Sequence, residues 1–182
     1  LNVILEPTEL EHNVQKQIEQ SGFTPQIIIK SEERNPSKES AGIPITFFSL
    51  QGGEDPKILN NYMFENDAGR KAHLMITTQD IQTESGTVEF KMIQLHFVNS
   101  EFGYSIIYLN VTEWFRYEIQ AFFSTVDTFE VMFDGEMQNI NFTRDPVFRQ
   151  VFADAKLEPG SESFDPMEGI DATPYDVDSE LY

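Results

Sequence analysis

The stretch "GTVEFKMIQLHFV", residues 86–98, sets Val88, Phe90 and Met92 against Glu89 and Lys91. It then sets Ile93, Leu95 and Phe97 against Gln94 and His96. A period of two predicts a strand. The change of parity between Met92 and Ile93 predicts a β-bulge there, since one extra residue keeps a single apolar face continuous. This run and "HLMITTQDI" flank "QTESG", which predicts a hairpin. "NSEFG" then turns the chain into "YSIIYLNV", apolar on both parities and so expected as a central strand. In "TFEVMFDGEMQNINF" the pair Asp134-Gly135 lies between two β-patterned runs, predicting a type I′ hairpin with strands near 128–133 and 136–142.

Nearer the N-terminus, "TELEHNVQKQIEQSG" predicts a surface helix. Thr8 and Glu11 suit a capping box, Leu10, Val14 and Ile18 form one seam, and Gly22 suits the C-terminal cap. "TPQIIIK" predicts a short strand, "SEERNPSKESAG" (31–42) a polar loop, "IPITFFSL" a second strand, and "QGGEDP" a turn. "TEWFRYEIQAFF" fits two readings. Phe115, Ile119, Phe122 and Phe123 fit a helix capped by Thr112, whereas Phe115, Tyr117, Ile119, Ala121 and Phe123 alternate as in a strand; aromatic enrichment favours the strand. "DPVFRQVFADAKL" predicts a last helix with Asp145 as cap, Pro146 in its first turn and Val147, Phe148, Val151 and Phe152 on one face. "EPGSESFDP" marks a boundary, and no internal repeat is present. The expected class is mainly β: an antiparallel sheet, sandwich or barrel-like, with flanking N- and C-terminal helices, or an α+β variant. A single domain over 1–157 precedes an acidic C-terminal arm over 158–182.

Composition supports folding, because 40% of the 182 residues are hydrophobic and 16 are Phe, more than a disordered chain carries. No apolar run reaches the roughly 20 residues of a membrane span. The first residues, "LNVILEPTEL", lack the basic and long apolar regions of a signal peptide. Absence of cysteine removes disulfides, thiolate catalysis and cysteine-ligated zinc, and fits a reducing compartment. Charge changes the picture most. Lys and Arg number 12 against 31 Asp and Glu, a net −19, and residues 151–182 hold nine acids against the single base Lys156. A phosphate-backbone binder carries a basic field. Here only Arg70 and Lys71 are adjacent bases, so nucleic acid is disfavoured as a partner.

Candidate chemistry is sparse. His12, His73 and His96 share no metal-ligand spacing, and an ordinary surface or half-buried role is expected of each, with His96 among the polar partners of its strand. There is no GxSxG, SxxK, GxGxxG or phosphate loop, and Gly52-Gly53 precedes Glu54-Asp55, which repel phosphate. No carboxylate pair stands out among 31 acids. Asp176, Asp178 and Glu180 alternate like half a calcium loop, but the central Gly and distal Glu are missing. The sequons Asn110-Val-Thr112 and Asn141-Phe-Thr143 sit inside apolar runs and read as chance matches. No catalytic residue, cofactor or metal ligand is assigned.

The closing "FDPMEGIDATPYDVDSELY" alternates acids with apolar residues. Phe164, Met167, Ile170, Tyr175, Leu181 and Tyr182 recur among Asp176, Asp178 and their neighbours, the pattern of a recognition segment rather than a solubilising brush. The expected function is that of a non-enzymatic protein-interaction subunit of a larger or homomeric assembly. The arm would dock on a protein partner or on other copies, in the cytoplasm, or in a virion if the setting is viral or a mobile element. One alternative is an acidic inhibitor, immunity-type or nucleic-acid-mimic protein. Another is a single-stranded DNA binder using Lys91, Arg116, Arg144 and Arg149 among aromatics, with the acidic tail as regulator.

Overall fold

The computed structural model describes residues 2–4, 23–40, 42–44, 47–84 and 86–155. The helix expected over 8–22, the boundary after the last helix, and the arm all lie outside the described residues. What is described is mainly β and antiparallel. In chain order the strands are β1 (Asn2–Ile4), β2 (Gln26–Glu33), β3 (Glu39–Ser40), β4 (Ile43–Pro44), β5 (Lys57–Glu65), β6 (Lys71–Thr83), β7 (Gly86–Val98), β8 (Phe102–Val111), β9 (Glu130–Phe133) and β10 (Glu136–Asn139). Six of them form one sheet in the order β1-β2-β8-β7-β6-β5; β3 with β4 and β9 with β10 make two-stranded ribbons. The helices are α1 (Ile119–Thr128) and α2 (Pro146–Ala155).

The alternation in β7 is resolved without a bulge. Its pairing runs unbroken from Ala72↔Phe97 to Thr83↔Gly86 on one side and from Phe90↔Val111 to Val98↔Gly103 on the other. The expected irregularity at Met92-Ile93 is therefore overturned, and so is the single core face that required it. Both faces of the sheet are covered. Ile93, Leu95 and Phe97 join Leu74, Ile76, Ile106 and Tyr108 in one core under α1 and α2. Phe90 and Met92 join Ile28, Ile107, Leu109 and Trp114 in a second core on the opposite face. β8 contributes to both, as a central strand apolar on both parities must.

Residues 113–123 depart from the strand reading. The chain makes a 3-10 turn at Thr112–Trp114 and enters α1, whose buried Ile119, Phe122 and Val126 follow the helical period. Thr112 does not cap this helix; Glu118, in the left-handed region at φ 59°, precedes it. A polar anchor sets the turn. Asn110 Nδ2 donates to the Trp114 carbonyl (2.9 Å) and to the Tyr108 hydroxyl (3.0 Å), and that hydroxyl donates toward the Phe115 and Tyr117 carbonyls. Burial pushes the Tyr108 phenol up, so it stays a neutral donor. Asn110, the acceptor position of its sequon, is thus fully buried structural material.

Two further expectations need correction. The polar loop over 31–42 is partly regular, since β2 runs on to Glu33, a 3-10 turn spans Pro36–Lys38 and β3 follows. Of the strand expected over 43–50, the described residues form only β4, and residues 47–50 are not a strand. Other readings hold: β2, the β6–β7 hairpin, and α2, where Asp145 Oδ1 accepts from the Val147 amide (2.8 Å).

The Asp-Gly hairpin also holds. Asp134 (φ 51°) and Gly135 (φ 85°) join β9 to β10 with Phe133 opposite Glu136, the positive-φ pair a type I′ turn demands. Gly135→Val should cost about 1 kcal/mol or more, because a β-branched residue tolerates positive φ badly. A urea melt with an unchanged midpoint would contradict this.

Candidate functional site

The second face of the sheet is not wholly apolar. Its β6 positions include His73, Thr77 and Gln79, its β7 positions Gln94 and His96, and its β8 positions Ser105; the first five are buried. A buried amide or imidazole needs hydrogen-bond partners, and here they come from the segment Phe48–Leu50. Gln94 Oε1 accepts from the Phe48 amide (2.7 Å), while its Nε2 donates to the Phe48 carbonyl (3.0 Å) and to Thr77 Oγ1 (3.0 Å). Gln79 repeats the device at Leu50, accepting from its amide (2.7 Å) and donating to its carbonyl (2.8 Å) and to the Glu54 carbonyl (2.9 Å). Two side-chain amides thus stand in for a neighbouring strand. "IPITFFSL" carries a strand's apolar signature because Phe48 and Leu50 cover the second core, yet they lie on the sheet's face rather than in its plane. Gly53 closes the clasp. A Cβ there would meet Asp80 O at 2.8 Å and Gln79 Nε2 at 2.7 Å, so no larger residue fits without movement of the backbone.

The histidines belong to the same network. Gln94 Oε1 is identified as the oxygen by the Phe48 amide it accepts. His96 Nε2 must therefore carry the proton it donates to that oxygen (3.1 Å), and Nδ1 accepts from the Ser105 hydroxyl (2.8 Å). His73, directly opposite in the register with ring centres 6.0 Å apart, donates from Nδ1 to the Pro44 carbonyl (2.8 Å) and turns Nε2 to the Asn61 side-chain amide. Burial lowers both histidines. His96 falls to about 3, first by burial and then by the neighbouring His73. Ser105, His96 and Gln94 form a hydroxyl–imidazole–amide line, the order in which a nucleophile, its base and an orienting group stand. A ring held neutral so far below pH 7 is a weak base, however, and a general base works best near the operating pH. At its inner end the line joins Gln94, whose amide binds Phe48.

Beside the network opens a groove of about 830 Å³, lined among others by Lys30, Glu32, Lys38, Phe47, His96 and Ser105. Lys30 Nζ lies 4.2 Å above the Phe48 ring, and Lys38 is 3.7 Å from Glu32. Among the described residues no group of three or more His, Asp or Glu could hold a metal ion. Nor is any helix among them long and apolar enough to cross a membrane.

The chain matches no protein-family model, no curated protein and no solved structure. Its reading therefore rests on its own geometry. Phe164, Met167, Ile170, Tyr175, Asp176, Asp178, Leu181 and Tyr182, with His12, lie outside the described residues. Of the basic residues set among aromatics, Lys91 is folded over the Phe115 ring (5.0 Å) and Arg116 over Tyr117 (5.1 Å), while Arg149 donates to the Thr143 carbonyl (3.1 Å). These three are engaged locally, while Arg144 lines a small pocket with Asp67 and Asp145.

A second feature is one the sequence reading passed over. "KILNNYMFE" forms β5, an edge of the sheet, and its Ile58, Leu59 and Met63 are 50%, 50% and 51% exposed. The signal was there in Ile58, Tyr62, Met63 and Phe64, but the two asparagines at its centre break the alternation. A register shift at Ile58/Asn60 breaks it again, leaving Leu59 without a partner on β6.

Proposed function

We propose that the protein is a non-enzymatic protein-interaction subunit of a larger or homomeric assembly. It docks through its acidic, aromatic segment 158–182 and through the open edge of β5. The observation that carries this reading is β5 itself. This edge strand is nine residues long, has three large apolar side chains half exposed and carries no proline or charge inside it; of the devices that keep sheet edges apart it shows only the register shift at Ile58/Asn60. The arm adds the chemistry of recognition: acids for attraction and encounter rate, spaced aromatics for buried area.

Association of the full chain, followed by light scattering and by co-purification, tests the reading. Changing Tyr175, Leu181 and Tyr182 together to Ala should abolish docking of the arm at any ionic strength. Changing Asp176 and Asp178 to Asn should weaken it mainly at low salt, since exposed charges are screened within about 8–10 Å. A full chain that stays monomeric and co-purifies with no other protein in stoichiometric amount sinks the reading.

A further inference from the structure

We infer that β5 pairs antiparallel with β5 of a second copy of this chain, about a two-fold axis through Asn61, so that two sheets join edge to edge. The inference rests on the interaction-subunit reading and names the partner. The outward side of β5 has no strand beside it among the described residues, while its inner side is paired to β6 from Lys57↔Thr78 to Glu65↔Lys71. Its outward amides and carbonyls therefore offer a ladder, irregular at the register shift between Ile58 and Asn60, to an extended chain of matching sequence.

The sequence of β5 is complementary to itself when reversed. Centred on Asn61, the pairing sets Leu59 opposite the partner's Met63 and Met63 opposite the partner's Leu59. Half-exposed Leu59 and Met63 so cover one another, while Ile58 falls opposite the partner's buried Phe64. Asn61 meets its own copy, an uncharged pair at the axis. At the ends, Lys57 meets the partner's Glu65 and Glu65 the partner's Lys57, the only charges on the strand, each opposite its counter-charge. A parallel pairing would instead set Lys57 against Lys57 and Glu65 against Glu65. The two-fold also closes the assembly at two copies along this edge, because each contact is made twice by the same surface. In a chain of net −19, copies repel at long range, and β5 is an edge whose own charges cancel.

The register makes the test specific. Light scattering of the full chain should give twice the chain mass. Lys57→Glu alone, or Glu65→Lys alone, places like charges opposite each other at both ends and should weaken the dimer about tenfold. The double variant Lys57→Glu/Glu65→Lys should restore it. All these side chains are exposed, so circular dichroism spectra of the variants should match the wild type, and any loss of melting temperature should vanish at dilutions where both are monomeric. Because the chain has no cysteine, Leu59→Cys chains mixed with Met63→Cys chains should form an interchain disulfide that neither forms alone. A full chain monomeric at every concentration, a double reversal that fails to restore, or single-cysteine chains that crosslink as readily as the mixture would each overturn the pairing. If any of these occurs while the arm variants still abolish association, only the β5 pairing fails. If arm and edge variants are both without effect because nothing associates, the interaction reading fails with it.

Discussion

Phe97→Ala should cost about 3–5 kcal/mol, the range for deleting a fully buried ring from a packed core. Phe97 is wholly buried and central to a ring cluster: its centroid lies 5.2 Å from Tyr104, 5.3 Å from Phe142 and 6.3 Å from Phe129. Phe142 in turn meets Phe64 edge-on at 5.5 Å. Truncation removes the apolar area and also edge-to-face contacts worth roughly 0.5–1.5 kcal/mol each. Against a typical total of about 5–15 kcal/mol, that is a third or more of the stability of an average domain. The informative comparison is Met92→Ala, five residues earlier on the same strand and on the opposite face. It too should cost about 2–5 kcal/mol, because that face is a core of its own. Urea midpoints with unchanged slopes would report both losses. If one of the two were nearly silent, one face would be open to water and the two-sided sheet would be wrong.

Acidification should destabilise the fold through His96 before the core is otherwise disturbed. The folded ring is held at about 3, against 6.5 for the free side chain. Between these values the unfolded chain binds a proton that the folded chain refuses, so stability is full above about pH 6.5 and drains as pH falls toward 3. The slope is about 1.4 kcal/mol per pH unit, and the whole window is worth several kcal/mol. His73, lowered by its own burial, acts in the same direction. Protonation of the many carboxylates relieves repulsion at net −19 and opposes the trend, so the wild-type profile mixes two effects. His96→Gln separates them: it should lower stability at neutral pH yet flatten the slope between pH 6.5 and 4. Equal slopes in the two proteins, or an NMR titration of the His96 ring with a midpoint near 6, would refute the buried-neutral assignment.

What could be read in advance divides by the range of the interaction that decides it. The Asp134-Gly135 turn and the Asp145-Pro146 helix start are settled within four residues, and both were legible. β7 was legible as a strand but not in its packing. Its parity switch has two solutions, a bulge or a second layer, and only the partners of Met92 choose between them. Those partners, Ile107, Leu109 and Trp114, are supplied by β8 and the turn after it. Residues 113–123 failed for the same reason. Their aromatics suit a strand locally, but Asn110 and Tyr108 end the ladder and turn the chain onto the first core. The face-lying segment Phe48–Leu50 was mistaken for a strand because its partners are the side chains of Gln79 and Gln94, which no main-chain pattern announces. Yet His, Thr and Gln recurring within otherwise apolar β6 and β7 were a visible sign that something polar had to meet them.

The single tryptophan of the chain lies in the second core, nearly buried at Trp114, while the two helices cover the first. Its emission therefore reports on one layer, and amide protection within α1 and α2 on the other. Coincident transitions would mean that the sheet couples its two coverings into one cooperative unit. An indole that reddens before the helical amides lose protection would mean that the Gln-held covering peels away first, and it would be visible without any label.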